Sequence, residues 1–171
     1  LPTWRFILRK TTKRLLLTLG LLAVIFGGYL LWRNYRLTRP RFQPFDAQRA
    51  YQDVVYQTSL GPRTPGSEAH EKIIDYIRGE LQTANWLVEV QTVEVNGHML
   101  QNVIARRSDV PPQIILAAHY DSRLMADKDP DPAKQQEPVP GANDGASGTA
   151  VLLELGRVVP SNSVPLWLVF F

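Results

Sequence analysis

The stretch from Gln113 to Arg157 constrains the fold more than any other part of the chain. It begins with five consecutive apolar residues, Ile114–Ala118, and the absence of polar alternation predicts a strand that is covered on both faces. A His-x-Asp pair, His119 and Asp121, follows directly. After a polar, proline-rich excursion, the turn GANDGASG (141–148) leads into an apolar run typical of a helix. This order predicts an α/β fold with ligand-type residues at the carboxyl edge of its sheet.

The flanking segments predict further helices and strands of the same fold. Two helices, each preceded by a capping residue (Asp46 or Ser67), come before a hairpin of two strands that is joined at Asn96-Gly97. The predicted spans are a helix from 46 to about 60, a helix after Ser67 with Ile73, Ile77 and Leu81 on one face, and strands at 88–95, 101–106 and 164–171. We therefore expect a three-layer α/β sandwich with a mixed, mostly parallel central sheet that is truncated in this sequence.

One transmembrane helix is predicted to precede this domain. Residues 15–32 are eighteen predominantly apolar residues without a charge, and as a helix they span about 27 Å, close to the ~30 Å of a bilayer core. We divide the chain into a basic cytoplasmic leader (1–14), a signal anchor (15–32), a juxtamembrane linker (33–45) and the N-terminal part of a catalytic domain (46–171). A cleaved signal peptide and a buried soluble helix are the competing interpretations.

The charge distribution separates the N-terminal segment from the rest. Of the 19 Lys and Arg residues, nine lie within residues 1–41, which contain no acidic residue, so ten remain against 16 Asp and Glu. The domain is therefore mildly acidic, and no nucleic-acid partner is expected. Basic residues lie on both sides of the apolar span, so the charge bias is weak, and we expect the N-terminus inside and the domain extracytoplasmic. The absence of cysteine excludes disulfides, thiol catalysis and cysteine-ligated zinc.

Three polar residues of the stretch are candidates for a metal site. Imidazole is a common zinc ligand, and a nearby carboxylate such as Asp121 can fix the tautomer of His119. Asp144 lies in the glycine-rich turn, close to the predicted start of the following helix, where the helix dipole favours an ionised carboxylate. Each residue also has an ordinary structural interpretation: His119 as a strand-end histidine bonded to a turn aspartate, and Asp144 as a helix N-cap. The residues alone leave both interpretations open.

Other polar residues are interpreted as parts of the surface. The aspartate- and proline-rich segment at 127–132 lacks the spacing and terminal Glu of an EF-hand loop, so we interpret it as a solvated loop stiffened by prolines. His70 and His98 have no partner pattern. We expect both to be surface residues.

Several motifs resemble animal-type glutaminyl-peptide cyclotransferases, especially their bacterial relatives, within the zinc aminopeptidase family. The resemblance extends over roughly residues 48–171. It rests on HYDSR (119–123), the ADKDPDP insertion (126–132), GANDGASG (141–148) followed by LLEL (152–155), GPRTPGS (61–67) and LQTANW (81–86). The insertion and the NDGAS wording favour the cyclases over the aminopeptidases.

The resemblance implies a zinc site that this sequence contains only in part. Asp144 would be a zinc-ligating carboxylate, and Asp121 the residue that orients His119. His119 would ligate the second zinc in two-zinc aminopeptidases, whereas in one-zinc cyclases its equivalent lies near the site without an assigned ligand role. One Zn²⁺ is expected for a cyclase and two for an aminopeptidase. The general-base Glu and the remaining ligands are expected beyond Phe171, so we expect a partial sequence with no catalytic residue of its own and no activity as given.

The implied activity converts an N-terminal glutamine to pyroglutamate with release of ammonia. The peptide's own α-amine would attack a zinc-polarised side-chain amide, and a Glu would relay the proton to the leaving ammonia. Peptide or protein N-termini are the expected substrates, and the membrane is contacted through residues 15–32. Two alternatives remain: an aminopeptidase that hydrolyses N-terminal residues, and a membrane-anchored binding protein that keeps the fold without zinc.

Overall fold

The N-terminal part of the chain is a single long helix. The computed structural model describes residues 3–39, 43–95 and 97–171, which belong to two separate units. The first unit contains helix α1, Thr3–Thr38, and within it Arg14–Thr38 is long and apolar enough to cross a membrane, with none of its residues buried. A signal sequence would pass the same test. The helix extends beyond the predicted anchor and includes the first part of the predicted linker.

The second unit contains every other element. Its strands and helices follow one another in the predicted order, and residue 96 of the predicted hairpin turn lies outside the described residues. The elements are α2 (Ala47–Ser59), α3 (Glu68–Thr83), β1 (Leu87–Val95), β2 (His98–Arg106), β3 (Ile114–Ala118), a short 3-10 helix (Pro132–Lys134), α4 (Gly148–Val158) and β4 (Leu166–Phe170). Asp46 and Ser67 cap α2 and α3 by accepting hydrogen bonds from the backbone N–H groups of Arg49 and His70.

The described strands form one mixed sheet in the order β1-β2-β4-β3. The β1–β2 hairpin is antiparallel, β2 pairs antiparallel with β4, and β3 pairs parallel with β4. The predicted mixed α/β fold is confirmed. Among the described strands one of the three pairings is parallel, because strand β2 of the hairpin takes part in both antiparallel pairings. Strands β3 and β4 therefore end at the same edge, with Ala118 opposite Phe170.

The hydrophobic core lies between one face of this sheet and helices α3 and α4. The predicted face of α3 is confirmed: Ile73, Ile77 and Leu81 are at most 1% exposed. They pack in one cluster with Leu153 of α4 and Leu168 of β4, among others. Burial of each such aliphatic side chain contributes about 1.5–3 kcal/mol. This core fixes the sheet edge at which β3 and β4 end.

Two predictions about burial are wrong. Strand β3 is not covered on both faces: it lies at the edge of the described sheet, and its Ile115 is 57% exposed. The described helices with core residues share one face of the sheet, so the described residues form two of the three predicted layers.

His70 is not a surface residue, because it lies on the inner side of α3 and is 3% exposed. The side chain of His98 lies outside the described part of the chain.

An ion-pair network joins the three helices of the domain. Arg157 of α4 contacts Asp53 of α2 at 2.6 Å and Glu80 of α3 at 2.8 Å. Arg49 of α2 contacts the fully buried carboxylate of Glu154 at 2.7 Å. The Asp53 side chain is 3% exposed and that of Arg157 is 11% exposed. Loss of one partner from such a buried pair typically costs ~3–5 kcal/mol, because the other charge is left unpaired.

Candidate metal centre

His119 follows the last residue of β3, at the sheet edge where β4 also ends. The backbone continues the strand pairing for a short distance, since Tyr120 N–H donates to the Phe171 carbonyl at 2.9 Å. The His119 carbonyl accepts a hydrogen bond from the buried hydroxyl of Thr149 in α4 at 2.9 Å. The backbone that carries the imidazole is therefore held by the sheet on one side and by the first turn of α4 on the other.

The two ring nitrogens of His119 face two different carboxylates. Nδ1 lies 2.9 Å from an oxygen of Asp121, and Nε2 lies 3.0 Å from an oxygen of Asp144. The structure thus brings together the three residues singled out from the sequence. The His119 side chain is 41% exposed and that of Asp144 is 62% exposed. A ligand from solvent can reach the point at which they meet.

Asp144 does not act as a helix cap. Helix α4 begins at Gly148, and Asp144 lies in the preceding turn, Ala142–Ser147, with φ −102° and ψ 94°. Ser147 is the N-cap residue, and its side chain makes no capping hydrogen bond. The alternative interpretation of Asp144 as an N-cap is therefore wrong, because the chain bends between Asp144 and the helix and turns the carboxylate towards His119 instead.

A glycine makes the close approach of the turn to His119 possible. A Cβ atom at Gly145 would lie 2.8 Å from both Cε1 and Nδ1 of His119 and 2.6 Å from its carbonyl oxygen. Real Cβ atoms do not come this close to other atoms. Because Gly145 has no side chain, the imidazole of His119 can occupy the space beside it. The glycine-rich turn therefore fits closely around His119.

The hydrogen-bond arrangement leaves a place for a cation. A carboxylate can only accept hydrogen bonds, so Asp121 requires a proton on Nδ1 of His119. In a neutral imidazole Nε2 then carries a lone pair, which faces a second carboxylate at 3.0 Å. Two acceptors at this distance repel each other unless a proton or a metal ion lies between them. The Nδ1–carboxylate contact is the partner that metal-ligating histidines typically have.

The donor set fits part of a zinc site. Nitrogen and oxygen ligands at ~2.0–2.1 Å from a tetrahedral zinc lie roughly 3.3 Å apart, close to the separation of His119 Nε2 and Asp144 Oδ1. A structural or catalytic zinc ion takes at least three protein ligands. Among the described residues there is no group of three or more His, Cys, Asp or Glu residues placed to hold a metal ion. These residues therefore form a partial site.

Reasoning from the sequence missed two buried residues beside the site. Arg63 is fully buried, and its guanidinium donates to backbone carbonyls of the site segments. His70 stacks against Tyr120 with ring centroids 5.1 Å apart, and both line a cavity of about 390 Å³ together with His119, Asp121 and Phe171, among others. Burial lowers the pKa of His70, which favours a neutral ring. Arg63 lies in a connection that contains proline and glycine, and His70 lies in the first turn of α3. Apolar periodicity gives no signal at either position.

The aspartate-rich segment after the site is a surface loop, in agreement with its interpretation from the sequence. Its carboxylates mostly bond to nearby groups of the loop itself: Asp131 accepts from Ala133 N–H and caps the short 3-10 helix, and Asp127 pairs with Arg123. Most of residues 123–140 are exposed. The loop leaves and re-enters the domain near the site, since Val139 N–H donates to the Arg123 carbonyl at 3.1 Å.

Comparison with known proteins identifies similar sequences. Residues 102–171 match the profile of peptidase family M28. The chain is 31% identical over 145 residues to an uncharacterized protein, YfbL, of Escherichia coli (strain K12). The matched region covers 81% of this chain and 43% of that protein. It is 27% identical over 138 residues to a glutaminyl-peptide cyclotransferase of Drosophila melanogaster, covering 76% and 36% of the two proteins.

Solved structures share the fold at similar levels of identity. Tannerella forsythia glutaminyl cyclase is 35% identical with a TM-score of 0.67, over 75% of this chain and 47% of that one. A leucine aminopeptidase precursor from Bacteroides thetaiotaomicron is 32% identical with a TM-score of 0.70, over 77% and 48%. A Zn-dependent exopeptidase from Parabacteroides distasonis is 33% identical with a TM-score of 0.67, over 77% and 48%. The chain spans about half the length of these proteins.

Proposed function

We propose, on the premise that this chain has the fold of the M28 zinc peptidase family, that it forms the zinc-binding edge of a glutaminyl-peptide cyclotransferase. Such an enzyme converts an N-terminal glutamine to pyroglutamate and releases ammonia. The observation that carries the proposal is the convergence of His119 and Asp144 on one point, with Asp121 on the far side of the imidazole. The similarity to glutaminyl cyclases supports the choice of reaction.

In this proposal Asp144, with the His119 imidazole beside it, would hold zinc together with ligands from the rest of the protein, and His119 would ligate a second zinc if the enzyme is an aminopeptidase. A bound zinc ion supplies a Lewis acid that polarises a carbonyl oxygen. The chain's own residues prepare the site for it. Asp121 accepts the Nδ1 proton of His119 and so selects the tautomer whose Nε2 lone pair is available to a metal ion, and the bend before α4 leaves the Asp144 carboxylate accessible to solvent.

The cavity beside the imidazole is a suitable place for the N-terminal residue of a peptide. It is bordered by apolar side chains, including Phe171 and Leu100, and by the polar side chains of Gln101 and Asn102. A mixed lining of this kind binds an aliphatic chain that ends in an amide, since apolar walls bury the methylenes and a few polar groups fix orientation. We expect the glutamine side chain to lie there, next to the metal.

The experiment is an assay of the full-length protein with a Gln-initiated peptide and with the same peptide initiated by Leu. We expect ammonia and a pyroglutamyl product from the first peptide, no reaction with the second, and about one zinc per chain. Release of free glutamine or leucine, with two zinc ions per chain, would overturn the cyclase assignment. Neither product from either peptide, together with no bound zinc, would overturn the enzyme assignment.

An aminopeptidase is the second candidate. The leucine aminopeptidase precursor has a TM-score of 0.70 to this chain, comparable with the cyclase. The same carboxylate and imidazole would then serve a site with two zinc ions, which activate a water for hydrolysis of the first peptide bond. The two reactions differ in their products, so the assay above separates them.

We also propose that residues 15–32 anchor the protein in a membrane with the domain outside the cytoplasm. The support is the length and apolar character of α1, on which large side chains such as Leu17 and Leu31 are 74% exposed. Five basic residues precede the span. Protease added to intact cells should remove the domain and leave a fragment of α1 in the membrane. Protection of the domain in intact cells and cleavage only after lysis would reverse the orientation.

A further inference from the structure

Arg63 lies in the connection between α2 and α3 and is completely buried. Its guanidinium donates four hydrogen bonds, all of them to backbone carbonyls. Nε donates to Tyr120, Nη1 to Gln57 and Pro140, and Nη2 to Gly141, at donor–acceptor distances of 2.8–3.1 Å. Four of the five N–H donors of an arginine are thus used in one rigid, planar arrangement.

Three of the four acceptors belong to the two segments that carry the candidate metal-site residues, and the fourth, the Gln57 carbonyl, belongs to α2. Tyr120 stands between His119 and Asp121, and Gly141 opens the turn that leads to Asp144. The guanidinium therefore bridges the strand-end segment and the glycine-rich turn. Their relative position determines the separation of the imidazole and the Asp144 carboxylate.

The backbone of Arg63 reinforces the same junction. Its N–H donates to the buried hydroxyl of Ser122 at 2.9 Å, and Ser122 N–H donates to the Arg63 carbonyl at 3.2 Å. Gly141 packs against this pair, with φ +66°, and a Cβ atom there would lie 2.8 Å from Ser122 Cβ and 3.0 Å from Nη2 of Arg63. The junction has no space into which either segment could shift.

We propose that Arg63 is a positioning residue for the metal centre: its guanidinium holds the His119–Ser122 segment and the Gly141–Asp144 turn at the separation that zinc requires. This inference rests on the proposed zinc function of His119 and Asp144. A lysine cannot replace the arginine, because its ammonium is a single point that cannot reach carbonyls on three sides. Burial lowers the pKa of Arg63, and the charge of Asp121 opposes this shift.

The chain contains a matched control for this role. Arg107 is also partly buried and also donates to backbone carbonyls, those of Val159, Ala84 and Gly156. Its guanidinium lies 4.1 Å above the ring of Trp86. None of these residues belongs to the metal site. Arg107→Lys therefore removes a comparable set of arginine–carbonyl bonds from a different part of the same domain.

The test compares Arg63→Lys with Arg107→Lys in the full-length protein. Zinc affinity is measured by competition with a chelator, and backbone hydrogen exchange is followed at residues 119–122 and 141–147. We expect Arg63→Lys to weaken zinc binding by ~10–100-fold, as for other residues that orient metal ligands, and to accelerate exchange in both segments. Arg107→Lys should leave both quantities at the wild-type level while lowering thermal stability.

Two outcomes would contradict the inference and its premise separately. If Arg63→Lys binds zinc as tightly as the wild type, Arg63 does not position the site. If the wild type binds no zinc, the proposed function fails. In that case the tethering role is still tested by hydrogen exchange, and equal exchange rates in Arg63→Lys and the wild type at both segments would overturn it. If Arg63→Lys does not fold, Arg63→Gln replaces it, because the amide keeps N–H donors at the buried position but lacks the fork that reaches three segments. That variant is expected to accelerate exchange in the same segments and to weaken zinc binding, and unchanged exchange and zinc affinity would refute the role.

Discussion

Nε2 of His119 lies 3.0 Å from a carboxylate oxygen of Asp144, although the two residues belong to different elements. The polar loop of residues 123–140 separates them in the sequence. They meet because β3 ends at the sheet edge beside which α4 begins, and because the turn before α4 bends back towards the strand. Such a contact places a nitrogen and an oxygen donor at the separation that the proposed zinc site needs.

Asp144→Asn should remove zinc without unfolding the protein. The side chain is 62% exposed, and the helix that follows begins only at Gly148, so we expect stability to change by no more than about 0.5 kcal/mol. Zinc content after dialysis and the thermal midpoint are the two measurements. Asp75→Asn, at a similarly exposed aspartate on α3, is the control and should keep its zinc. Full zinc content in Asp144→Asn would assign the residue a purely structural role.

Asp121→Asn should change the tautomer of His119. The amide oxygen still accepts a hydrogen bond, but it lacks the charge that stabilises a proton on Nδ1, and we expect zinc affinity to fall by ~10–100-fold. The nitrogen chemical shifts of the imidazole in labelled protein report the tautomer directly. Asp127→Asn in the surface loop should leave them unchanged. Identical shifts in Asp121→Asn and the wild type would show that Asp121 does not set the tautomer.

Gly145→Ala should displace His119, whereas Gly148→Ala should be tolerated. The new Cβ at position 145 would meet the imidazole at 2.8 Å, while at position 148 it would meet only the Ala118 Cβ at 3.6 Å, an ordinary contact. Gly148→Ala should also stabilise α4 by about 0.5–1 kcal/mol, since alanine favours the helix. Zinc affinity and urea unfolding measure the two effects. Equal zinc affinity in the two variants would mean that the turn can move away from the ring.

The buried carboxylate of Glu154 should make stability depend on acid pH. Burial raises its pKa, but hydrogen bonds from Arg49 and from Asp46 N–H, with Arg157 nearby, outweigh burial and hold the pKa below the ordinary 4.5. Because the folded pKa is lower than the unfolded one, its stabilisation is complete above about pH 4.5 and is lost as the pH falls through the folded value. Urea unfolding at pH 7 and pH 3.5 measures this loss.

Glu154→Gln is the comparison for that experiment. The variant should be less stable at pH 7, because Arg49 and Arg157 lose a charged acceptor in the interior. The difference in the free energy of unfolding between the variant and the wild type should become smaller as the pH falls below 4.5. A constant difference at both pH values would show that Glu154 does not titrate between them.

The elements that could be predicted from the sequence are those whose partners are apolar. The spacing of Ile73, Ile77 and Leu81 predicts the buried face of α3, and it is buried as expected. Helix α2 behaves differently. Its apolar residues Tyr51 and Val55 are 60% and 43% exposed, and of its three buried residues Ala50 is apolar whereas Asp53 and Gln57 are polar.

The burial of polar residues at α2 and at Arg63 has one physical cause. Asp53 is buried because Arg157 and the hydroxyl of Tyr76 satisfy its carboxylate, and Arg63 is buried because carbonyls from three segments accept its protons. These partners are distant in the sequence, so no local pattern indicates them. The proximity of His119 and Asp144 could be anticipated because a strand end and a helix start are local signals that a sheet edge brings together.

The unpaired edge of β3 makes the isolated domain prone to aggregate during expression. Among the described strands β3 has one neighbour, β4, so its other edge presents free backbone N–H and C=O groups beside the exposed side chains of Ile114 and Ile115. Such an edge is a template on which further strands add from other molecules, and it promotes aggregation. Expressed alone, residues 43–171 should therefore form soluble oligomers or inclusion bodies, and a charged residue at position 115 should restore the monomer.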